Sequence, residues 1–180
     1  MIFRTPNRGE RTRINRAFNR WGAFEFFKHK PLIIQELGPK KKAVCLVTSG
    51  TEKIAQMMDP YSSGLAIGEL KKQFVPSIAG ADLFARYRET RKNNNNYNKY
   101  YITVSEKAEN LVLYGRDIMG ESIVAASDTL DENELVIVLN TACEAIAVGR
   151  TRFTGRSLFQ KGKVTVSTIA DAGYYLRAED

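Results

Sequence analysis

The first clear pattern along the chain has the period of an α-helix. From about Asn7, apolar residues recur at spacings of three and four and form one stripe, made of Ile14, Ala17, Phe18, Trp21 and Phe24. Three basic residues flank this stripe, namely Arg13, Arg16 and Arg20. We predict a helix that packs its aromatic side inward, within a basic helical arm over residues 1–30. The basic edge is either an ordinary solvated face or a surface for a polyanion, and the pattern leaves both open.

Residues 31–87 mix short β-branched runs with short helical stretches. Strands are predicted at 32–34 and 43–47, with a basic turn at 38–42 between them. Ser49 and Glu52 have the spacing of a capping box, which predicts a helix ending near Met58. A loop is expected at 62–68, a strand at 70–74 and a second helix at 78–87. This part of the chain is therefore predicted to be an α/β domain.

From Tyr100 onward the pattern becomes dense in short strands. They are predicted at 101–104, 110–113, 122–126, 135–140, 145–150, 164–169 and 174–176, with short helices near 116–119 and 156–160. Many short strands separated by turn residues favour a small barrel over a parallel sheet. The polar, asparagine-rich stretch at 91–96 is expected to be an exposed loop or linker. We predict an α+β chain with a break near 88–99, giving domains over residues 1–98 and 99–180.

The charge of the chain is unevenly distributed between these two parts. The net charge is +7, but residues 1–105 hold 19 Lys+Arg against 8 Asp+Glu, and residues 106–180 hold 8 against 12. Such asymmetry indicates separate modules and a polyanionic partner for at least one of them. Charge alone does not separate RNA from DNA or from an acidic protein.

Few residues could support catalysis or bind a metal. His29 is the single histidine and no nucleophile motif accompanies it. Cys45 and Cys143 each lie in an apolar run without CxxC spacing, so both are expected to be small buried side chains. The acidic run at 128–134 has no glycine where a calcium-binding loop requires one. We predict no catalytic site, no metal and no cofactor.

Nothing in the sequence resembles a membrane or export segment. No stretch approaches the roughly 18 uninterrupted apolar residues of a membrane span. The basic N-terminus is not followed by the apolar region of a signal peptide. We expect a soluble protein without a membrane partner, cytoplasmic in location, or nucleolar if the chain is eukaryotic.

The acidic C-terminal part contains one basic island. Five cations lie within fourteen residues and no acidic residue separates them: Arg150, Arg152, Arg156, Lys161 and Lys163. Side chains alternate along an extended strand, so the first two should share a face while Thr151 takes the other. The planar guanidinium of arginine can bind phosphate bidentately. The island is either a solubilising rim or a site for a polyanion.

Several runs in this part are similar to those of a PUA domain, a small RNA-binding pseudo-barrel. They are LYGRDIMG at 113–120, ELVIVLN at 134–140, AIAVGR at 145–150, KGKV at 161–164 and DAGYYLR at 171–177. The entry KYYITV at 99–104 narrows the resemblance to the Nip-seven family of ribosome-assembly factors. The strand and helix at 43–58 and the segment 64–87 also resemble the N-terminal α/β domain of that family. The likeness covers about residues 40–180, and the arginine-rich residues 1–30 depart from it.

The resemblance implies a function and a set of contact residues. In that family the PUA domain contacts RNA through basic residues late in the domain. The matching positions are Arg150, Arg152, Arg156, Lys161 and Lys163. Arg13, Arg16 and Arg20, to which the resemblance assigns no role, are secondary candidates from the basic edge of the predicted helix. The implied protein is a non-catalytic factor of large-subunit assembly, and the partners that the resemblance implies are pre-rRNA and other ribosome-assembly proteins. The alternatives are an RNA-modification enzyme or its accessory subunit, and a PUA-containing translation factor.

Overall fold

The structure is a computed structural model that describes residues 2–38, 41–58, 60–88 and 99–177, the side chains of 175 and 176 excepted. The chain divides into two compact units, Met1–Tyr87 and Arg88–Asp180. Residues 89–98, which include the asparagine-rich stretch, lie outside the described residues. The domain boundary predicted at 98/99 falls at the end of this segment and stays a prediction.

The first unit contains one antiparallel sheet of five strands in sequential order, β1-β2-β3-β4-β5. The strands are β1 (Ile2–Arg4), β2 (Leu32–Gly38), β3 (Lys41–Leu46), β4 (Leu65–Leu70) and β5 (Phe74–Pro76). The helices are α1 (Arg8–Arg20), α2 (Phe24–Phe27), α3 (Thr51–Met58) and α4 (Ile78–Tyr87). The sheet is buried along β2, where four successive residues from Leu32 to Gln35 are inaccessible. Because successive side chains point to opposite faces, both faces of the sheet are covered there.

Two hydrophobic clusters hold this unit together. One joins Phe3 of β1, Ile33 of β2 and Ala55 of α3. The other is aromatic: Phe18 of α1 stacks on Phe27 of α2 at 4.4 Å between ring centroids, and Trp21 stacks on Phe84 of α4 at 5.2 Å. Stacked and edge-on aromatic contacts of this kind add to the free energy gained by burying the rings. Ile14, Ala17 and Phe18 of the predicted stripe are therefore the inner face of α1, whereas Trp21 lies just past its end and Phe24 begins α2.

A buried ion pair anchors the start of α1. Asn7 caps the helix and forms a capping box with Glu10, whose side chain is only 1% exposed. Arg4 of β1 donates to both Glu10 oxygens, at 2.7 and 2.8 Å, and Lys42 of β3 adds a third bond at 3.0 Å. The Arg4 guanidinium holds the pKa of the Glu10 carboxyl well below its usual range. The segment predicted as a basic helical arm is thus helical, but it also supplies a strand and part of the core of the unit.

Three predictions for this unit were wrong in detail. Residues 65–68 were expected in a loop and belong to β4, and the strand expected at 70–74 is the turn between β4 and β5. The turn at 38–42 is partly occupied by the ends of β2 and β3, and residues 39 and 40 lie outside the described part of the chain. Gly68, the last residue of the expected loop, instead pairs with Val44 and Pro76 inside the sheet, so the strand lies earlier in the chain than expected.

The second unit contains a six-stranded mixed sheet that curls into a half-barrel, with the order β7-β11-β10-β9-β6-β8. The strands are β6 (Tyr101–Val104), β7 (Ile118–Met119), β8 (Ile123–Ala125), β9 (Leu135–Leu139), β10 (Ala145–Thr151) and β11 (Val164–Asp171). The helices are α5 (Glu106–Leu113) and α6 (Tyr174–Arg177), with 3-10 turns at Gly120–Ser122 and Gly155–Phe159. Only the β6–β9 pair is parallel among the strands that the structure describes. The predicted α+β fold class, with a pseudo-barrel second, is confirmed.

Three elements of the second unit were assigned the wrong type. The strand predicted at 110–113 is the last turn of α5, and the strand predicted at 174–176 is part of α6. The helix predicted near 116–119 is instead the short strand β7. In α5 the buried residues Ala108 and Val112 are four apart, which is helical spacing, but the run NLVL read alone is equally compatible with a strand.

Candidate nucleic-acid interface

The five cations of the basic island lie around one connection of the second unit. Arg150 is the second-last residue of β10, and Arg152 directly follows the strand. Arg156 is in the 3-10 turn Gly155–Phe159, and Lys161 and Lys163 precede β11. The β10–β11 connection therefore carries four of the five, and the end of β10 the fifth.

Arg150 bonds to the loop at 131–134, which is itself held in place by the buried side chain of Thr151. Its Nη1 donates to the carbonyl oxygen of Asn133 at 2.7 Å. The neighbouring Thr151 is 1% exposed, and its hydroxyl donates to the carbonyl oxygen of Asp131 at 2.7 Å while accepting from the Glu134 N–H at 2.9 Å. These bonds hold residues 131–134 against the strand end, so the Arg150 guanidinium has a defined position.

Arg152 is oriented by an ion pair and a hydroxyl. Its Nη2 lies 2.6 Å from Asp117 Oδ2, and its Nε donates to the Ser167 hydroxyl at 2.6 Å. Ser167 is also the register partner of Arg150 on β11. The two arginines therefore share one face of the sheet, with buried Thr151 on the other, as strand alternation predicted.

Arg156 also faces a carboxylate. Its Nε lies 3.3 Å from Asp128 Oδ2, and its side chain is 88% exposed. The adjoining Gly155 permits this approach, because a Cβ there would lie 2.0 Å from the backbone oxygen of Asp128. An exposed pair of this kind contributes little to stability, so Arg156 can exchange its carboxylate for another anion.

The two lysines border a tight turn. Gly162 has φ +71° and donates its N–H to Glu121 Oε2 at 3.0 Å. Lys163 Nζ lies 5.8 Å from the centre of the Phe153 ring, a cation–π distance, and Lys161 is exposed. Two arginines of the island thus face carboxylates from elsewhere in the unit, and a third carboxylate, that of Glu121, accepts from the backbone between the two lysines.

Those acidic residues are what the sequence did not reveal. The island is free of acids along the chain, but Asp117, Glu121 and Asp128 are brought to it by folding. They lie 35, 41 and 28 residues before the groups they contact. Asp117 belongs to the run LYGRDIMG, which marked the domain but gave no signal that it would pair with Arg152. Two of the five cations, Arg152 and Arg156, are thus paired with carboxylates, so the island is not a wholly unopposed positive patch.

The secondary candidates in the first unit are also brought together. Arg13, Arg16 and Arg20 line a cavity of about 230 Å³, with Lys72 and Phe74 from the β4–β5 region. Arg13 Nη1 donates to the carbonyl oxygen of Lys71 at 2.8 Å, and the Arg20 guanidinium lies 5.9 Å from the centre of the Trp21 ring. This edge of α1 is therefore partly committed to holding the domain together.

A second basic edge of α1 was missed. Arg11 and Asn15 lie on the opposite side of the buried stripe, and they line a separate cavity of about 390 Å³ together with Lys28 and Lys30. The sequence does show Arg11 and Asn15 at helical spacing and a basic run Lys28-His29-Lys30. It does not show that these two segments meet in the folded unit.

Cysteine reactivity and metal binding find little support in the described residues. Cys45 is buried, and burial raises the pKa of its thiol to about 11, so it is protonated at neutral pH. Cys143 was expected to be buried and is exposed, because it lies in the β9–β10 turn with φ +65°. Within the described ranges, no three His, Cys, Asp or Glu residues are grouped so that they could hold a metal ion. No helix there is long and apolar enough to cross a membrane.

Comparison with known proteins assigns both units. Residues 3–78 match the family model described as NIP7/UPF0113, pre-PUA domain, and residues 100–180 match the UPF0113 PUA domain. A UPF0113 protein of Archaeoglobus fulgidus is 32% identical over 179 residues, covering 98% of this chain and 95% of the relative. The match from residue 3 shows that the family likeness, expected over 40–180, includes the arginine-rich start.

Solved structures share the whole fold. A conserved PUA-domain protein from Thermoplasma acidophilum superimposes with a TM-score of 0.65 at 19% identity, covering 98% of each chain. A hypothetical protein from Pyrococcus horikoshii gives a TM-score of 0.67 at 17% identity, covering 95% of each. At these identities the similarity establishes the arrangement of the elements in the fold.

Proposed function

The chain belongs to the NIP7/UPF0113 family of PUA-domain proteins, and we propose that it is a non-catalytic RNA-binding protein whose PUA domain contacts RNA through the basic island. The observation that carries this proposal is the gathering of Arg150, Arg152, Arg156, Lys161 and Lys163 around one connection of the half-barrel. Phosphate contacts supply most of the affinity of such surfaces.

The carboxylates beside the island fit this role. Asp117 holds the Arg152 guanidinium extended while RNA is absent, and a phosphate can replace that carboxylate at similar geometry. Asp128 pairs with Arg156 at 3.3 Å, and this exposed carboxylate is easily exchanged for a phosphate. Because Arg152 is held by both Asp117 and Ser167, ordering it on RNA costs less side-chain entropy than ordering a free side chain would. The acidic neighbours also lower non-specific attraction to other polyanions.

We propose further that the RNA is pre-rRNA of the large subunit and that the protein acts beside other assembly proteins, in the cytoplasm or, in a eukaryote, the nucleolus. This finer assignment rests on family membership. An accessory subunit of an RNA-modification enzyme and a PUA-containing translation factor are the alternatives. They are separated by the particle with which the protein sediments: a large-subunit precursor supports assembly, and a small subunit or a free modification complex does not.

The absence of catalysis is supported by the chemistry of the side chains. Cys45 is a protonated, buried thiol, and the single histidine, His29, is exposed on a loop without a nucleophile among its hydrogen-bond partners in the described structure. We expect no turnover of RNA, nucleotides or methyl donors by the purified chain. Modification of RNA that is lost when one of its own residues is changed would contradict this.

The test of the RNA assignment is crosslinking in cells with mapping of the crosslinked nucleotides. We expect crosslinks concentrated in large-subunit precursor RNA and greatly reduced in the variant Arg150→Ala, Arg152→Ala, Lys161→Ala. The charge-matched control is Arg13→Ala, Arg16→Ala, Arg20→Ala, which should retain them. Crosslinks unchanged in the first variant and lost in the second would place the RNA on the N-terminal unit instead.

A further inference from the structure

The first unit contains two cavities that adjoin each other. The first, of about 390 Å³, is lined by Arg11, Lys28 and Lys30 together with polar Asn15. The second, of about 650 Å³, lies next to it, because His29, Lys30, Pro31 and Ser49 line both. One continuous recess therefore runs from the edge of α1 to the end of β3.

The two parts of this recess differ in chemistry. Among the residues that the structure describes, no carboxylate lines either part. The first part offers three side chains that are positively charged at neutral pH, plus amide and hydroxyl donors. Glu25 pairs with Lys28 from outside the recess, so one cation is partly balanced. The second part is bounded mainly by apolar side chains, among them Phe26, Leu46, Val47 and Leu65.

An aromatic surface lies at the border of the apolar part. Phe26 stacks on Tyr87 with ring centroids 3.7 Å apart and planes 8° from parallel, and Tyr87 is 46% exposed. Lys30 Nζ lies 5.1 Å from the centre of the Phe26 ring, so a cation that lines both cavities is held against this surface. A basic pocket next to an apolar, aromatic one is the combination used to bind single-stranded nucleic acid, in which cations contact the backbone and flat rings contact the bases.

We propose that this recess binds one unpaired nucleotide of RNA, its phosphate among Arg11, Lys28 and Lys30 and its base in the apolar part. The inference rests on the proposed function, since it takes RNA to be the ligand. An unpaired nucleotide fits better than an acidic protein segment, because it presents a phosphate and a flat apolar base one sugar apart. A duplex keeps its bases stacked and cannot place one in the recess.

The chain offers a site-specific probe for this inference. His29 is its single histidine and borders both cavities, so its imidazole proton signal in an NMR spectrum needs no assignment by mutation. We would titrate the full chain with a uridine hexanucleotide at fixed pH and salt. We expect a saturable shift of the His29 signal. The double variant Arg11→Gln, Lys30→Gln should weaken this binding by about tenfold or more, as expected for losing charge-assisted hydrogen bonds.

A matched control and two competitor ligands make the result decisive. Lys41→Gln, Lys71→Gln removes two exposed positive charges of the same unit, both paired with Glu69 and outside the recess, and should leave the shift unchanged. Sodium phosphate at equal ionic strength and an oligoglutamate should each give a much smaller shift. A shift of equal size with phosphate would overturn the proposal in favour of free phosphate, and one of equal size with oligoglutamate would overturn it in favour of an acidic protein. No saturable shift with the hexanucleotide would also overturn it.

The failure of this inference can be distinguished from failure of the proposed function. In the variant Arg150→Ala, Arg152→Ala, Lys161→Ala we expect the His29 shift with the hexanucleotide to persist. If His29 stays unmoved while that variant loses affinity for long RNA, the recess is wrong and the PUA contact stands. If His29 responds and that variant binds long RNA normally, the recess stands and the PUA contact is wrong.

Discussion

Arg152 lies 2.6 Å from Asp117, and the two residues are 35 positions apart in the chain. The carboxylate is itself held by the Thr168 N–H at 2.9 Å, so it is a fixed partner. The charge of Arg152 is therefore balanced by a carboxylate held in place, and a phosphate that binds Arg152 as we propose would have to displace it.

Removing that carboxylate should strengthen RNA binding. In Asp117→Asn the side chain can still accept from Thr168, but it no longer competes with phosphate for the guanidinium. We expect affinity for RNA to rise about two- to tenfold, the equivalent of a surface charge pair of up to about 1 kcal/mol. Fluorescence anisotropy with labelled RNA measures this. Glu144→Gln is the control, since it removes an exposed negative charge of the same unit at the end of β10 opposite Arg150. Equal gains in affinity from both variants would mean that only the net charge of the unit matters.

The basic island should account for several of the ions released on binding. In Arg150→Ala, Arg152→Ala, Lys161→Ala we expect the slope of log affinity against log salt to fall by about three, if all three side chains contact phosphate. Arg152→Ala alone should lower it by about one. Titration of labelled RNA at several salt concentrations gives both values, and an unchanged slope in the triple variant would contradict the proposed contact.

The competing site on α1 needs point substitutions and not a deletion. Removing residues 1–20 would take away Ile14 and Phe18, both fully buried, together with the Arg4–Glu10 pair, so the unit would not fold. The charge-matched comparison is Arg13→Ala, Arg16→Ala, Arg20→Ala. We expect it to leave the salt slope within about half a unit of the unchanged protein, and a drop of about three there would place the phosphate contacts on the first unit.

Local patterns predicted those elements whose burial is periodic. The helix expected at 78–87 coincides with α4, and the aromatic stripe of α1 packs inward because its spacing gives it one continuous face. The run 110–113 was misassigned because four residues cannot separate a period of 2 from one of 3.6. Cys143 was misplaced for a related reason: it lies in a largely apolar run, but the turn that exposes it is set by the register of β9 and β10.

The candidate site was predictable in its cations and not in their partners. Five basic residues within fourteen positions are visible in the sequence, and so is the alternation that puts Arg150 and Arg152 on one face. The nearby carboxylates belong to Asp117 just before β7, to Glu121 in the 3-10 turn Gly120–Ser122 and to Asp128 in the loop after β8, and only the folding of the unit brings them to the island. The recess of the first unit could not be predicted for the same reason, because Arg11 and Lys30 come to line one cavity only when α1 and α2 pack together.

The aromatic cluster of the first unit should dominate the stability of that unit. Phe84 is fully buried and contacts Phe18 and Trp21. We expect Phe84→Ala to lower the free energy of unfolding by about 3–5 kcal/mol, because the ring leaves a cavity that rigid neighbours cannot fill. Trp21 is the single tryptophan of the chain, so its fluorescence during urea unfolding follows this unit alone. Tyr61→Ala, at an 85% exposed ring, should change stability by less than about 0.5 kcal/mol and serves as the control.

The buried ion pair at the start of α1 should make the stability of this unit depend on pH. Glu10 accepts bonds from Arg4 and Lys42, and its pKa lies well below the usual range in the folded state. The unfolded chain therefore takes up a proton on Glu10 at a higher pH than the folded chain does. The stabilisation is fully present above the unfolded pKa of about 4.3 and is lost progressively as pH falls from there toward the folded pKa.

Glu10→Gln tests this directly. At pH 7 we expect a loss of about 1.5–3 kcal/mol, the usual contribution of charge-assisted hydrogen bonds, because Arg4 and Lys42 keep their charge and lose their main acceptor. Between about pH 5 and pH 3 the unchanged protein should lose stability more steeply than the variant, so the two curves converge. Urea unfolding followed by Trp21 fluorescence at several pH values gives these curves. The control is Glu25→Gln, which alters a carboxylate that is 53% exposed, and its stability curve should run parallel to that of the unchanged protein. If the curve of Glu10→Gln is parallel as well, the pKa of Glu10 is not depressed.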